Sequence, residues 1–229
     1  LEEILSTRQL PEGSIVVARH QTHGRGQENN HWESEAGCNL TFSIVLYPEF
    51  IKAEQQFMLT QLTSISICEL LDSLDLPEKA MIKWPNDIYL GSRKVAGMLI
   101  KNNISNNSIS QTICGIGLNV NQMVFSENAP IAVSLAMITR KEHNLDDLLT
   151  MWHINFGRAY DIIKNGNFES LNQHYLNRLY QLDQVASYSI QNEKLRATIT
   201  GIAKYGMLKL TAEDGRTFTC GMKEVVFER

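Results

Sequence analysis

Apolar residues in the first 182 positions occur in short runs separated by glycine, proline and polar residues. Such runs predict strands, and the short turns between several of them favour a mixed or antiparallel sheet. The run that follows Ser14 is continuously apolar and rich in branched side chains, so we expect this strand to be covered on both faces. The predicted strands are residues 14–18, 40–47, 81–84, 87–90, 95–100 and 109–120.

Two longer segments carry apolar residues at the three- and four-residue spacing of an amphipathic helix. The second of them begins after Asn144, a favourable N-cap residue, and stops at Gly166. A shorter helix is predicted over residues 168–180. We expect these helices to pack on the sheet through their apolar faces, which is a commoner role for such a face than binding a partner. The first segment covers residues 53–74 and places four side chains on one face: Met58, Leu62, Ile65 and Cys68.

From residue 184 the pattern changes to an alternation of apolar and polar residues with frequent glycines. Asp214 and Gly215 form a dipeptide that is typical of a tight hairpin turn. We therefore predict a boundary at residue 183. Residues 1–182 would form the larger domain, and residues 183–229 a small β-barrel module.

The composition limits the classes of function. Of 229 residues, 21 are Lys or Arg and 25 are Asp or Glu, so the formal net charge of −4 lacks the cationic surplus of a general nucleic-acid binder. No apolar run reaches the roughly 18 residues that span a membrane. The four cysteines are widely separated and form no C-x-x-C pair, which favours reduced thiols in a cytoplasmic protein over a disulfide scaffold or a zinc site.

Residues 19–37 form a long polar segment that predicts a functional loop. Gly24 and Gly26 flank Arg25, so the backbone can approach a ligand closely while a guanidinium faces a phosphate or a carboxylate. Trp32 adds a flat aromatic face for a base or a ring. The spacing matches neither the dinucleotide-binding fingerprint nor a P-loop. Three histidines in this segment, His20, His23 and His31, lack Cys or acidic partners at the spacing of a metal site, apart from Glu28 and Glu33. We therefore predict no metal there.

Lys83 lies at the end of a predicted buried strand, in the motif K-W-P-N-D (residues 83–87). A lysine is costly to bury without an anion, so we interpret Lys83 as an ammonium aimed at substrate oxygens. The alternative is a lysine whose stem is buried at the strand end while its charge reaches solvent.

Glycines also interrupt two predicted strands, in the motifs R-K-V-A-G-M-L (residues 93–99) and G-I-G-L-N-V (residues 115–120). Glycine weakens a strand unless something must approach its backbone, although each of these glycines also fits a bulge or a bend. Asn119, which ends the second motif's strand, offers both a donor and an acceptor to a sugar or a base.

Taken together, these motifs closely resemble those of the biotin–protein ligase family, and the resemblance extends from about residue 11 to residue 227. The motifs are G-R-G with its following Trp, K-W-P-N-D, R-K-V-A-G-M-L and G-I-G-L-N-V. The resemblance implies an α+β fold, in which a mixed or antiparallel sheet backed by helices forms a class II synthetase-like catalytic domain, followed by a C-terminal SH3-like β-barrel. It also implies a two-step reaction. Biotin and Mg·ATP form biotinyl-5′-adenylate, and the biotin is then transferred to a lysine of a biotin carboxyl carrier protein domain.

The resemblance further implies a cytoplasmic enzyme that binds neither DNA nor membrane, while open sheet edges are compatible with a homodimer.

Arg25 and Lys83 would be the catalytic cations that offset the charge of carboxylate and α-phosphate, while Mg²⁺ takes the pyrophosphate. The implied biotin-binding residues are Gln21, Gly24, Arg25, Gly26, Gln27, Lys83, Gly97, Gly115 and Gly117. The implied ATP- and adenylate-binding residues are Arg25, Trp32, Lys83 and Asn119, with Trp32 covering the adenine. We expect residues 19–37 to be mobile without ligand and ordered with the adenylate.

Two features depart from the family pattern. Relatives carry a Ser-Thr-Asn segment that contacts biotin, and we expect it to precede Leu1. Glu28 and Asn29 replace the Arg and Gly of many relatives, which predicts weaker retention of the adenylate.

The sequence leaves three alternative functions open. The first is a lipoate ligase, which uses the same adenylation chemistry, although no R-x-x-G-G-G-x-V element is present. The second is a catalytically silent regulator that binds biotin or nucleotide, which Glu28 slightly favours. The third is an interaction module led by the terminal barrel, which leaves Lys83 and the glycine loop unexplained.

Overall fold

The computed structural model describes residues 1–21, 24, 26 and 31–228, and its larger part is built on a six-stranded sheet. The order of the strands is β1-β2-β6-β5-β4-β3, and neighbours in this order pair antiparallel. The predicted antiparallel sheet is therefore confirmed. Its strands are β1 (Ile15–Val17), β2 (Leu40–Leu46), β3 (Ala80–Lys83), β4 (Asp87–Leu90), β5 (Arg93–Ser105) and β6 (Ser108–Leu118).

Strands β5 and β6 form a longer hairpin than the sequence predicted. The residues between them, Asn106 and Asn107, have φ of 48° and 65°, which suits the tight turn of a two-residue hairpin. β5 therefore continues to Ser105, whereas the prediction ended it at residue 100. Residues 101–105 are mostly exposed, so the apolar alternation that reveals a strand is missing there.

Strand β1 is an edge strand, and the prediction that it is covered on both faces was wrong. Among the described strands it pairs with β2 alone, and Val17 is 45% exposed. A run of branched apolar residues is also compatible with an edge position, because the pattern alone does not report how many neighbours a strand has.

Helix α2 lies between the sheet and two further helices. It contacts β3, β4 and β5 on one side and α4 and α5 on the other. The prediction of a single apolar face was too narrow, because Ser64 and Ser66 are buried as well. Ser66 Oγ accepts a 2.9 Å hydrogen bond from Trp152 Nε1, so its hydroxyl is satisfied inside the core. The helices are α1 (Glu2–Thr7), α2 (Phe57–Asp72), α3 (Leu135–Thr139), α4 (Leu145–Lys164) and α5 (Phe168–Asn177), and a 3₁₀ turn (Ala53–Gln55) precedes α2.

Helix α4 begins where the sequence predicted. Asn144 Oδ1 accepts from Asp146 N at 2.9 Å and from Asp147 N at 3.2 Å, which caps the helix. Its buried residues Trp152 and Phe156 stack at 4.8 Å between ring centroids, and the Trp152 ring meets Phe42 of β2 edge-on at 4.6 Å. The apolar face thus packs against α2 and the sheet, as expected.

The second sheet has five strands in the order β10-β9-β8-β7-β11, an arrangement consistent with the predicted SH3-like module. Asp214 and Gly215 lie in the turn between β9 and β10, and Gly215 has φ of 89°. The boundary at residue 183 stays a prediction. The strands are β7 (Val185–Ile190), β8 (Glu193–Ile202), β9 (Leu208–Ala212), β10 (Thr217–Cys220) and β11 (Val225–Phe227).

The two sheets are joined through Gly206, which lies between β8 and β9. Its carbonyl accepts a 2.8 Å hydrogen bond from the buried indole nitrogen of Trp84, in the turn between β3 and β4. A Cβ placed on Gly206 would lie 2.2 Å from the ring of Phe57.

In the described part of the chain, no helix combines the length and apolar character needed to cross a membrane.

Candidate active site

A cavity of about 500 Å³ lies over the middle of the six-stranded sheet, next to Gln21, Gly26, His31 and Trp32. The strands β2, β5 and β6 contribute its floor, and the turn after β3 contributes one wall. Six residues that the sequence predicted for ligand binding line it: Gln21, Gly26, Trp32, Gly97, Gly115 and Gly117.

The floor of the cavity contains a patch of bare backbone. Gly97 of β5 and Gly117 of β6 are directly paired across the two strands, so two neighbouring positions lack a side chain. A Cβ placed on Gly117 would lie 2.3 Å from Trp32 Cε2, and one on Gly97 would lie 3.2 Å from Trp32 Cζ3. The indole ring therefore rests on both glycines, where the resemblance had placed the ligand itself. At Gly115 the nearest atom to such a Cβ would be 3.5 Å away, so this position has room for a methyl group.

Three buried polar side-chain atoms have no hydrogen-bond partner within the described residues: Gln21 Oε1, Trp32 Nε1 and Asn119 Oδ1. All three belong to residues that the sequence predicted for biotin or nucleotide binding. An unpaired buried polar atom costs about 1–3 kcal/mol, so native structures rarely leave one without a ligand or water to satisfy it. Asn119 is 2% exposed and its Nδ2 donates to Val133 O at 3.2 Å, so the amide is fixed with its oxygen left over.

Two lysines that were assigned no role from the sequence line this cavity, Lys94 and Lys101, and Lys94 lies beside Trp32. Lys94 Nζ lies 2.7 Å from Asp87 Oδ1 and 5.6 Å from the centroid of the Trp32 ring. Its backbone is fixed by hydrogen bonds to Ile131 O and from Val133 N. Lys94 belongs to the quoted motif R-K-V-A-G-M-L, and its position three residues before Gly97 was the available clue.

Lys83 lies elsewhere. It does not line the cavity, and its Nζ is 4.8 Å from the ring centroid of Phe227 in β11 and 5.5 Å from that of Tyr89. The last three residues of the K-W-P-N-D motif do reach the cavity, because Pro85, Asn86 and Asp87 line it. The catalytic role of Lys83 stays a prediction.

The glycine loop is only partly described. Gly24 is buried, and its carbonyl accepts a hydrogen bond from Trp32 N at 3.2 Å. A Cβ on Gly24 would lie 2.1 Å from Trp32 O, which explains why the position suits glycine. Arg25, Gln27, Glu28 and Asn29 lie outside the described residues. They are among the seven undescribed residues of the segment 19–37, which was expected to order with the adenylate.

We find no group of three or more His, Cys, Asp or Glu that could hold a metal ion within residues 1–21, 24, 26 and 31–228.

The cavity thus combines two paired glycines in its floor, the Trp32 ring that rests on them and a lysine–aspartate pair. Residues 1–119 match the Biotin/lipoate A/B protein ligase family. The chain belongs to this family.

Relatives and solved structures agree with this assignment. The chain is 34% identical over 118 residues to the bifunctional ligase/repressor BirA of Bacillus spizizenii, covering 52% of this chain and 36% of the relative. It is 34% identical over 115 residues to the biotin–[acetyl-CoA-carboxylase] ligase of Paracoccus denitrificans, covering 48% and 46%. These alignments span less than half the length of either relative. The biotin protein ligase of Aquifex aeolicus in complex with biotin and ATP superposes with a TM-score of 0.80 and 26% identity, covering 99% of this chain and 94% of that one.

Proposed function

We propose that the protein is an ATP-dependent biotin–protein ligase, a biotin–[acetyl-CoA-carboxylase] ligase. It activates biotin as biotinyl-5′-adenylate and transfers it to a lysine of a biotin carboxyl carrier protein domain. The observation that carries the proposal is the set of three unpaired buried atoms, on Gln21, Trp32 and Asn119, at residues predicted to bind these two substrates. The Aquifex aeolicus structure, which holds biotin and ATP and matches nearly the whole chain, supports the same substrates.

In the first step, an oxygen of the biotin carboxylate forms a bond to the α-phosphorus of ATP, and the bond to pyrophosphate breaks. Two anions approach each other, so a preorganised cation lowers the barrier. Lys94 is placed for this task, since its ammonium lies at the cavity wall and Asp87 holds it at 2.7 Å. Mg²⁺ enters with ATP and leaves with pyrophosphate.

In the second step, a neutral lysine amine of the carrier domain attacks the carbonyl carbon of the mixed anhydride. The carbon–oxygen bond to AMP breaks, AMP leaves, and the amine loses a proton as the amide forms. Because water competes with the amine for the same carbonyl, a covered site is useful. The Trp32 ring, which lies over Gly97 and Gly117, provides part of that cover.

Two cations from the sequence analysis remain part of the proposal. Arg25 would hold the adenylate, and the alanine variant should release it faster while keeping the fold. Lys83 was assigned the role that the geometry supports for Lys94, and comparison of the two alanine variants decides between them. A cytoplasmic location and a homodimer also belong to this proposal, and cell fractionation and sedimentation test them.

The names of the relatives favour biotin over lipoate, and the decisive experiment compares the two acids. The protein is incubated with Mg·ATP, radiolabelled pyrophosphate and either biotin or lipoate. Biotin-dependent incorporation of the label into ATP is expected, followed by ATP-dependent biotinylation of a carrier domain. Exchange with lipoate alone would replace the proposal by a lipoate ligase. Biotin binding without exchange would identify a silent regulator.

A further inference from the structure

A buried amide anchors the chain directly after Trp32. Gln122 is 2% exposed and lies four residues beyond the end of β6. Its Oε1 accepts from Asn39 Nδ2 at 2.5 Å and from Glu35 N at 3.0 Å. Its Nε2 donates to Glu33 Oε1 at 3.2 Å and to Val124 O at 2.8 Å. Both ends of the amide are therefore fully used.

The partners of Gln122 extend this anchor. Asn39 is 4% exposed, its Oδ1 accepts from Val120 N at 2.9 Å, and its Nδ2 also approaches Ser34 Oγ at 3.3 Å. The carboxylate of Glu33 accepts from Ser126 N at 3.1 Å. Residues 33–39, which lead from Trp32 into β2, are thus bonded at several points to residues 120–126, which follow β6.

The anchor and the indole ring share one strand. The ring lies on Gly117 of β6, and Gln122 follows the end of the same strand by four residues. The backbone of Trp32 is also held from the preceding segment, because Trp32 N donates to Gly24 O at 3.2 Å. The direction in which the ring leaves the backbone is therefore set by contacts before and after it.

We propose that Gln122 is a positioning residue that fixes Trp32 over the bare patch formed by Gly97 and Gly117, and thereby sets the affinity for the nucleotide. The identity of the nucleotide rests on the proposed function, whereas the placement of the ring does not. Gln122 touches no reacting group. It acts through the segment 33–39, whose polar groups would lose their partners if the amide were removed.

Indole N–H resonances test the placement of the ring directly. The chain has three tryptophans, and a Trp32→Phe variant assigns the Trp32 signal. Trp84 and Trp152 serve as internal controls, since their indole nitrogens donate to Gly206 O and Ser66 Oγ in other parts of the core. In Gln122→Ala the Trp32 signal should shift or broaden while the other two stay in place. An unmoved Trp32 signal would overturn the proposal.

Kinetics separate positioning from a loss of stability. For Gln122→Ala we expect KM for ATP to rise by about tenfold or more, the change that a lost buried hydrogen bond produces, with KM for biotin within about twofold of the parent. Asn121→Ala is the matched control, because within the described residues its side chain is hydrogen-bonded to the backbone of His143 and not to residues 33–39. It should leave the Trp32 signal and KM for ATP unchanged.

An exchange of the amide and the carboxylate provides a rescue test. Gln122→Glu places two carboxylates together and should displace Trp32, whereas adding Glu33→Gln restores an amide–carboxylate pair with the roles reversed. The double variant should recover part of the Trp32 signal and of the affinity for ATP, because the bond between positions 122 and 33 is restored while Val124 O still lacks its donor. If Gln122→Ala moves all three indole signals, the double variant Gln122→Glu/Glu33→Gln is the deciding test. Absence of any recovery of the Trp32 signal in it would overturn the proposal. If the parent protein lacks ATP–pyrophosphate exchange but the Trp32 signal still responds, the proposed function fails and the positioning stands.

Discussion

The indole ring of Trp32 rests on Gly117, 2.3 Å from where a Cβ of that residue would be. The shape of the cavity therefore depends both on the indole ring and on the lack of a side chain at Gly117. Because Gly97 is paired directly with Gly117, the bare patch extends across two strands. Gly115, two residues before Gly117 in β6, does not contact Trp32, so substitutions at the two glycines test this packing.

Gly117→Ala should displace Trp32, whereas Gly115→Ala should not. The added methyl group would overlap the indole in the first case, which typically costs about 1–3 kcal/mol of stability. In the second case the nearest atoms are Leu99 O at 3.5 Å and Ser43 Oγ at 3.7 Å, which are ordinary contact distances. The indole N–H resonance of Trp32 and the urea midpoint of the unliganded variants report the outcome. Equal effects of the two substitutions would contradict the packing described here.

The two candidate lysines should differ in their effect on adenylate formation. Lys94→Ala removes the cation at the cavity wall, and we expect biotin-dependent ATP–pyrophosphate exchange to fall by about a hundredfold or more. Lys83→Ala removes an ammonium that lies over Phe227 and Tyr89, and we expect a loss smaller than about tenfold. Circular dichroism confirms that both variants are folded. A larger loss from Lys83→Ala would restore the role that the sequence predicted for it.

Gly206→Ala should weaken the junction between the two sheets. Its φ is +79° and a Cβ would lie 2.2 Å from the Phe57 ring, so both backbone strain and overlap oppose the substitution. We expect a loss of about 2–5 kcal/mol in the free energy of unfolding. Gly215→Ala is the matched control, because its φ of +89° causes strain while nothing lies within 4 Å. It should cost about 1–2 kcal/mol, and similar losses at both sites would exclude a contribution from Phe57.

Stability should fall at alkaline pH because of buried thiols. Burial raises the pKa of Cys68 and of Cys114 from 9.0 to about 12. Their protonated forms are favoured in the folded state, so this stabilisation is complete below pH 9 and is lost as the pH rises towards 12. Each thiol contributes a slope of up to about 1.4 kcal/mol per pH unit in that range.

Urea unfolding at pH 8, 9 and 10.5 measures this slope. The variant Cys68→Ala/Cys114→Ala should unfold more easily at pH 8 but lose less stability between pH 9 and 10.5 than the parent does. Part of the slope should persist above pH 10, because burial raises the pKa of Tyr188 to about 12. An identical slope in the parent and the variant would show that the two thiols do not cause it.

Local patterns located most of the elements. Asn144 marked the start of α4, and Asp214 with Gly215 marked the hairpin between β9 and β10, because caps and turns depend on residues close in sequence. The limits of β5 were missed for the opposite reason. Its outer half is held by pairing with β6, and the exposed residues there have no apolar pattern to reveal it.

The motifs in the sequence were sufficient to indicate the family, the order of the two modules and six of the residues that line the cavity. The tertiary structure decided that Lys94 and Lys101 rather than Lys83 line that cavity, where the Trp32 ring lies and why the segment after it is held. Gln122 and Asn39 are 83 residues apart, and Trp32 meets Gly117 across a similar separation. Contacts over such distances arise only when the sheet brings its strands together, so no local pattern of residues reports them.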